Sequence, residues 1–298
     1  MLTRRQMLAA SGAALSLSAF PTGWTTAADA PKRKVLMFTR SQGFEHSVIK
    51  RSTPDKLGHA EQILTDLGAK NGFEVTCTKD GRVFLPENIA KYDAFFFYTT
   101  GDLTKEGGDK TPPMPAEGKI ALLKAIAEGK GFLASHCGSD TFHSPGDRFV
   151  TNDKDKDPYI AMLGGEFIKH GAQQKAWMRL VDTKFPGAKD LKDFEMMEEW
   201  YSLKNFAPDL HVILVNDTKE MKGFEYERPS FPATWARMHQ KGRVFYTSMG
   251  HREDVWTNKT FQDLVLGGLA WASKNVDADV TPNIATVTPK ANELPVKK

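Results

Sequence analysis

The feature that most constrains the fold is a regular alternation of short apolar runs and amphipathic segments over residues 35–135. The apolar runs predict β-strands at residues 35–39, 73–78, 94–99 and 131–135. The segments between them predict helices at residues 54–67, 86–91 and 115–128. Because a strand, a helix and a second strand in succession form a parallel, right-handed crossover unit, the alternation predicts an α/β fold with a doubly wound, mostly parallel sheet.

The second half of the chain keeps this pattern less regularly. Strands are predicted at residues 175–182, 211–216, 233–238 and 243–247, and a closing helix at residues 261–273. The last two strands form a predicted hairpin around Gln240, Lys241 and Gly242. Prolines among polar residues, without an apolar period, predict an extended or disordered tail over residues 276–298, so the predicted domain spans residues 31–275.

The N-terminus resembles an export signal over residues 1–30. Arg4 and Arg5 precede a mildly apolar run at residues 8–20, and the alanines at positions 27, 28 and 30 are typical of a signal peptidase site. The paired arginines favour the twin-arginine (Tat) route, which carries folded cargo, and an ordinary Sec signal is the alternative. Either route predicts an exported protein, periplasmic or secreted.

The composition excludes several function classes. The chain has 40 Lys and Arg against 37 Asp and Glu, and this near balance argues against a nucleic-acid partner. After residue 30 no apolar run approaches the roughly 20 residues of a membrane-spanning helix, so no membrane span is expected in the mature form. No Gly-x-Gly-x-x-Gly segment or phosphate-binding loop occurs, so no nucleotide cofactor is expected.

The chain has two cysteines, Cys77 and Cys137. The first lies within a predicted strand and the second lies just past the end of another, so their spacing does not define a disulfide. No Cys-x-x-Cys metal motif occurs, and we expect two unpaired thiols.

A sharp turn is predicted where the strand at residues 131–135 ends. The segment Ala-Ser-His-Cys-Gly at 134–138 matches the strand-to-turn context in which one side chain projects over the edge of the sheet. In that frame the projecting residue is His136, and Cys137 comes one position late. The alternative is a histidine that caps the strand end with an ordinary hydrogen bond.

Further short motifs occur in a recognisable order along the chain. They are Gly-Phe-Glu-His at 43–46, Gly-Gly-Glu-Phe at 164–167, Glu-Glu-Trp-Tyr at 198–201, and Gly-His at 250–251 after Gly-Arg-Val-Phe-Tyr at 242–246. With the turn at 134–138, this set resembles the ThuA-like (trehalose-utilisation) family over residues 35–272. The resemblance implies the α/β sandwich of the class I glutamine amidotransferase-like, flavodoxin-like kind.

The resemblance also implies a shared catalytic cleft. Its expected catalytic residues are His46, His136, Glu199 and His251. True amidotransferases of this superfamily carry cysteine at the position of His136. The alternatives are an unpartnered loop histidine at position 46 and a solvated acidic face at residues 198–199.

A second group of residues is expected to contact substrate. This group consists of Asp140, Thr141, His170, Trp200 and Tyr201. Trp200 and Tyr201 adjoin the acidic pair and would form a partly enclosed wall suited to a sugar. Asp140 and Thr141 match the family's small polar stretch and are expected to orient His136 or to contact the ligand. The histidines expected to be structural or exposed are His59, His143, His211 and His239.

Three functional hypotheses stay open. The first is an exported enzyme that acts on a sugar or keto-sugar of the trehalose or disaccharide type, because imidazoles transfer protons near neutral pH. The second is a cysteine-dependent, amidotransferase-like hydrolase that uses Cys137, His251 and Glu253. The third is a carbohydrate-binding protein without turnover. In each case the expected partner is a small-molecule carbohydrate, and the sequence does not predict the oligomeric state.

The expected catalytic residues are also candidate metal ligands. Imidazole and carboxylate groups suit zinc, and a catalytic zinc site needs about three protein ligands and an open position. A divalent metal, zinc, held by His46, His136, Glu199 and His251 is therefore one hypothesis, and a metal-free acid–base site of the same residues is the alternative.

Overall fold

The first half of the chain folds as the alternation of apolar runs and helical patterns predicts. The computed structural model describes residues 32–152 and 154–296, so the predicted signal peptide lies outside the described residues. The strands of this half are β1 (Arg33–Phe38), β2 (Phe73–Thr78), β3 (Ala94–Phe97) and β4 (Gly131–Ser135). The helices between them are α1 (His59–Lys70), α2 (Pro86–Ile89) and α3 (Ala116–Ala127).

Helix α1 begins five residues later than its apolar pattern predicts. Its N-cap is Gly58, whose backbone N–H donates to the Glu61 carboxylate. A Cβ at position 58 would lie 2.8 Å from the backbone carbon of Ile49, so the chain passes too close for any other residue. The segment from Pro54 to Leu57 therefore forms turns rather than a first helical turn.

The second half contains more strands than the sequence predicts. They are β5 (Glu166–His170), β6 (Gln174–Leu180), β7 (Phe194–Glu198), β8 (Tyr201–Lys204), β9 (His211–Asp217), β10 (Phe231–His239) and β11 (Gly242–Thr247). The helices are α4 (Pro158–Leu163), α5 (Glu253–Trp256), α6 (Lys259–Ala272) and α7 (Ile284–Val287). Strands β5, β7 and β8 were not predicted, because each has at most five residues and carries charged side chains within it.

The described residues form a large mixed sheet in the order β2-β1-β3-β4-β11-β10-β9-β6-β7. The strands from β2 to β11 in this order are parallel, and each later strand is antiparallel to its neighbour. The α/β fold is confirmed, and the sheet is parallel over only half of its width. The difference arises because β10 and β11 are joined by the predicted hairpin turn, which reverses the chain without a crossover helix.

The helices that cover the parallel half fall into two groups. Helices α1, α5 and α6 contact one another, and α2, α3 and α4 form a second set of contacts. Members of both groups reach β11, which is completely buried at Val244 and Tyr246. The remaining strands β5 and β8 form a separate antiparallel pair. Among the described residues no helix is both long and apolar enough to cross a bilayer.

The segment after Val276 corrects the prediction of an extended or disordered tail. It packs against the sheet, and Ile284 and Ala291 are buried there. The Asn283 side chain bonds the backbone N–H and carbonyl of Val212, and Asn292 bonds those of Phe206 in the same way. Two asparagine side chains thus hold this segment in place by hydrogen bonds, and an analysis of apolar periodicity does not detect such contacts.

Candidate active site

The four predicted catalytic residues meet at one edge of the sheet. His46 follows β1, His136 is the first residue of a 3-10 turn after β4, and His251 follows β11. Because β1, β4 and β11 are parallel members of one sheet, their carboxyl ends lie at the same edge, where ligands bind in α/β folds. Glu199 comes from the antiparallel half, in the link between β7 and β8.

The polar atoms of this cluster are close enough to share one proton or one cation. His251 Nδ1 lies 3.1 Å from Glu199 Oε2 and 3.2 Å from His136 Nε2, which is itself 3.6 Å from Glu199 Oε2. The ring centroid of His46 lies 5.0 Å from that of His136 and 5.2 Å from that of His251. One ligand atom from each of the four residues falls within 4.8 Å of all the others.

The backbone fixes His136 in this position. Its φ of 46° is in the left-handed region, which a histidine adopts only where the surroundings impose it. The imidazole is completely buried, and its Nδ1 donates to the Ser248 carbonyl at 3.1 Å, because a carbonyl only accepts. With Nδ1 as this donor, Nε2 is the ring nitrogen that faces Glu199 and His251. Of the two candidate residues of the predicted turn, His136 and not Cys137 joins the cluster.

Glu198 holds two members of the cluster in place and was not predicted to do so. Its carboxylate accepts hydrogen bonds from the backbone N–H groups of Glu199, Gly250 and His251 at 2.8, 2.8 and 3.1 Å. Gly250 has a φ of 124°, and a Cβ there would lie 2.5 Å from Ser135 Oγ. Burial raises the pKa of the Glu198 carboxyl despite these donors. Adjacent glutamates in an extended segment face opposite sides, so sequence alone does not tell which one enters the site.

Replacing Glu198 with glutamine should lower activity by about 10- to 100-fold, the usual effect of removing a group that orients ligating or catalytic side chains. The amide would oppose one of the three N–H groups with its own NH₂ and so displace Glu199 or His251. The measurement is kcat with its pH profile, which a purely structural role would leave unshifted. Glu195→Gln, on the exposed face of the same strand, is the matched control and should keep the wild-type rate and profile.

The electrostatics of the cluster differ among its members. Burial, with the neighbouring His136 and His251, lowers the pKa of His46 well below its ordinary value. Burial alone would raise the pKa of Glu199, but hydrogen bonds from His136 and His251 hold it far below the usual range. Burial alone would lower the pKa of His251, and the hydrogen bond to Glu199 raises it instead. Glu199 is therefore an ionised carboxylate, and the two imidazoles near it have pKa values shifted in opposite directions, down for His46 and up for His251.

Two of the predicted substrate contacts border this cluster. The Tyr201 ring centroid lies 4.0 Å from that of His136, and its hydroxyl lies 3.5 Å from His46 Nε2. His170 lies at the rim with its side chain 43% exposed, and its Nδ1 is 3.3 Å from Glu199 Oε1. Phe44 is a further rim residue, 69% exposed, with its ring edge against His46. Only the exposure of this aromatic, which sequence does not show, distinguishes it from a core residue.

Two other predicted contacts lie elsewhere. Trp200 is completely buried, and its indole N–H donates to the Gln174 carbonyl, which leaves no surface for a ligand. Trp200 and Tyr201 are neighbours in extended backbone, so only one of them can face the cluster. Thr141 is completely buried as well, and its hydroxyl donates to the Thr99 carbonyl at 2.7 Å. Both residues stabilise the loops of the site and do not line it.

Asp140 belongs to a second polar network. Its carboxylate contacts His143 Nε2 at 2.8 Å, and His143 Nδ1 contacts Glu166 at 3.3 Å. Burial alone would lower the pKa of His143, but its two carboxylate partners raise it to about 9. Burial would raise the pKa of Glu166, and hydrogen bonds from His143 and Ser144 lower it to about 2. His143 was predicted to be structural or exposed, and it is a half-buried bridge between two carboxylates.

This bridge predicts a pH-dependent contribution to stability. Because the folded pKa of His143 is above the unfolded value of about 6.5, its contribution is complete below about pH 6.5 and disappears as the pH rises through 9. The contribution of Glu166, whose pKa is lowered, is present above about pH 4.5 and disappears toward pH 2. The imidazole is 27% exposed, which reduces the full linkage value to about 2 kcal/mol.

The variant His143→Gln should therefore be about 2 kcal/mol less stable than the wild type at pH 5.5, and nearly as stable at pH 9.5. Urea unfolding at the two pH values measures both differences. An equal destabilisation at pH 5.5 and pH 9.5 would show that packing, and not the charge of the imidazole, accounts for its contribution.

The residues of the cysteine-dependent hypothesis do not assemble. Cys137 is completely buried, and burial raises the pKa of its thiol well above the ordinary value. Glu253 accepts a hydrogen bond from Ser47 at 2.6 Å, whereas His251 takes Glu199 as its carboxylate partner. Cys77 and Cys137 are both free, as predicted. The sequence spacing His-x-Glu at 251–253 thus does not form a working pair here.

Comparisons with known proteins agree with the motifs. The profile of the ThuA family, described as trehalose utilisation, matches residues 34–272. A putative ThuA-like protein from Bacteroides uniformis superposes with a TM-score of 0.60 at 19% identity, over 85% of this chain and 95% of that one. A second, from Parabacteroides merdae, has a TM-score of 0.56 at 17% identity over 85% and 94% of the two chains. No curated protein sequence matches. Because the profile covers most of the chain, the protein belongs to the ThuA family.

Proposed function

We propose that this chain is an exported enzyme that processes a sugar or keto-sugar of the disaccharide type at the cluster of His46, His136, Glu199 and His251. The observation that carries the proposal is the convergence of three imidazoles and one carboxylate at the carboxyl edge of the sheet, with atoms of three of them 3.1 to 3.6 Å apart. The three imidazoles face one another around the single carboxylate. Such a convergence of titratable groups with shifted pKa values is typical of a catalytic site.

The surroundings of the cluster support a sugar as substrate. Phe44, which is largely exposed, presents an aromatic ring beside His46, and aromatic faces suit the C–H faces of sugar rings. His170 at the rim offers a polar atom next to Glu199. The imidazoles supply groups that accept and donate protons near neutral pH, as bond cleavage or isomerisation at a sugar carbon requires.

The donor set of the cluster also fits a divalent cation. Imidazole nitrogen and carboxylate oxygen are the ligands that zinc prefers, and the Ser248 carbonyl fixes the His136 tautomer with Nε2 available. The buried Nδ1 of His46 has no hydrogen-bond partner within the described residues, as expected for a nitrogen that binds a metal ion or ligand. When bound, such a cation would polarise a sugar carbonyl or activate a water. The protein's own groups would orient the sugar and move its protons.

A carbohydrate-binding protein without turnover is the second candidate. The buried, closely spaced imidazoles argue against it, because binding alone gains nothing from holding His136 in a left-handed backbone conformation.

A screen of glycosides and their 3-keto derivatives tests the proposal. We expect turnover of at least one disaccharide or keto-disaccharide, detected as new products by mass spectrometry. Tight calorimetric binding of a sugar that is recovered unchanged would favour the binding protein. Neither binding nor turnover across the set would contradict both.

Export is part of the proposal and rests on the sequence. Arg4→Lys together with Arg5→Lys should leave uncleaved precursor in the cytoplasm, because paired arginines are the recognised signal of the twin-arginine route. Fractionation of cells followed by immunoblotting measures it, with Lys32→Arg as a control outside the signal. Normal export of the double variant would assign the chain to the Sec route.

A further inference from the structure

A cavity of about 480 Å³ opens beside the catalytic cluster and has no role in the chemistry described above. Its volume lies in the range of about 300 to 1,000 Å³ of small-molecule sites. The two loops that carry His46 and His136 also line it, through Gly43 and Asp140 respectively. The cavity and the cluster are therefore neighbouring parts of one surface.

A chain of side-chain contacts connects the cavity with the cluster. The Arg148 guanidinium lies over the Phe167 ring at 5.9 Å, and the Phe167 and Tyr201 ring centroids are 4.1 Å apart. Tyr201 in turn contacts His136. On the other side, the exposed Phe44 follows Gly43, which lines the cavity, and comes two residues before His46 of the cluster. The Thr100 hydroxyl donates to the Phe44 carbonyl at 3.0 Å. A ligand ring at the cluster would thus have a second ring's space next to it.

The charges of the cavity favour a neutral ligand. The charged residues that line it are Asp102, Asp140, Asp157, Lys119, His143 and Arg148. Lys119 is paired with Asp157 at 2.6 Å, and His143, protonated below about pH 9, is paired with Asp140 at 2.8 Å. Each of these cations is neutralised by its own carboxylate, and an anion would also face the carboxylate of Asp102. Hydroxyl groups, which both donate and accept, match such a lining.

Arg148 is the lining residue most available to a ligand. It is exposed at the rim, and its guanidinium donates no hydrogen bond within the described part of the chain. Asp102 supplies the acceptor side, since its carboxylate accepts only from the backbone and hydroxyl of Thr104 among the described residues. A donor without a hydrogen bond and a carboxylate without a salt bridge, among the described residues, thus border the same volume.

We propose that this cavity is the subsite for the second, non-reacting ring of a neutral disaccharide, with Arg148 and Asp102 as the residues that select it. The inference rests on the proposed function, since the first ring must occupy the cluster. It adds a position for the leaving or retained ring and predicts that a disaccharide binds more tightly than a single ring. Binding energy of a remote ring can then be used to orient the reacting one.

Calorimetric titration of the full-length mature protein tests the subsite. The probes are trehalose and methyl α-glucoside with their 3-keto derivatives, each on the wild type and on His136→Asn, in which turnover is blocked. Arg148→Gln should weaken binding of the better disaccharide about tenfold and change binding of the single ring by less than about twofold. Lys154→Gln, which removes the same charge from an exposed residue outside the cavity, is the matched control and should change neither.

The outcomes separate the subsite from the proposed function. Equal affinities for one and two rings, both unaffected by Arg148→Gln, would overturn the subsite and leave sugar binding at the cluster intact. Tighter binding of glucose 6-phosphate, titrated as an anionic probe, that Arg148→Gln abolishes would overturn the neutral ligand class. Absence of binding for every probe would contradict the proposed function and the subsite together. Asp102→Asn, which keeps the shape of the side chain, should reproduce the loss for the disaccharide.

Discussion

Replacing His136 with asparagine should reduce turnover by about 10²- to 10⁴-fold, the usual contribution of a positioned acid–base group. Asparagine tolerates the left-handed φ of 46° better than most residues, so the variant should keep the backbone of the turn. The loss would come from the missing Nε2, the atom that faces Glu199 and His251. The measurement is kcat on the substrate found in the screen.

Cys137→Ala is the matched control because the thiol is the next side chain along the same turn. It should keep most of the activity, and iodoacetamide should not inactivate the wild type, since the thiol is completely buried with a raised pKa. Thermal unfolding of both variants checks that each is folded. Rapid inactivation by iodoacetamide, slowed by substrate, would assign the chemistry to the cysteine and contradict the role of His136.

The sequence predicts the location of the histidines well because they follow strands with strong apolar patterns. Residues 35–38 and 131–135 are nearly continuous apolar runs, and a polar residue after such a run lies at the sheet edge. The predicted cluster of His46, His136 and His251 rests on the family resemblance, and it forms because β1, β4 and β11 are parallel members of one sheet. That relation follows from the crossover rule in the first half and from the family resemblance for β11.

The acidic side of the site is less predictable from sequence. Glu198, Glu199, Trp200 and Tyr201 alternate between opposite sides of extended backbone, and which two face the cluster depends on the pairing of β8 with β5. Strand β5 is short and has a bulge between Phe167 and Lys169, so no period of two identifies it. Trp200 was therefore assigned to the site and Glu198 was overlooked for the same reason.

The cavity beside the cluster could not be predicted at all from local patterns. It exists because the loops after β1, β3 and β4 leave space between them, and the positions of those loops depend on tertiary contacts. The Arg40 guanidinium, completely buried in a chain segment after β1, donates to the carbonyls of Leu103, Lys105 and Thr111 and fixes the long loop that borders the cavity. A single arginine in the sequence gives no indication of such a role.

Protein purified without a histidine tag should contain about one equivalent of zinc, held by His136, Glu199 and His251, with a fourth position left open for water or substrate. Tetrahedral zinc with bonds of about 2.0 to 2.1 Å separates its ligand atoms by about 3.4 Å. The three separations among His136, Glu199 and His251 are 3.1, 3.2 and 3.6 Å, close to this value. The ligand atom of His46 lies within 4.8 Å of the other three, so His46 borders the site.

Elemental analysis measures the zinc content, and thermal unfolding gives a readout that does not depend on activity. Zinc at 100 times its Kd would stabilise the fold by about 2.7 kcal/mol, which corresponds to a rise in Tm of roughly 5 °C or more. Chelation should remove this increment together with turnover, and added zinc should restore both. Glu199→Gln should lower the zinc content well below one equivalent, whereas His59→Gln, on the exposed side of α1, should retain it. Zinc far below one equivalent in the wild type, with activity and Tm indifferent to chelator, would mean that the close contacts of these imidazoles with Glu199 are bridged by protons, and that the site works by acid–base transfer alone.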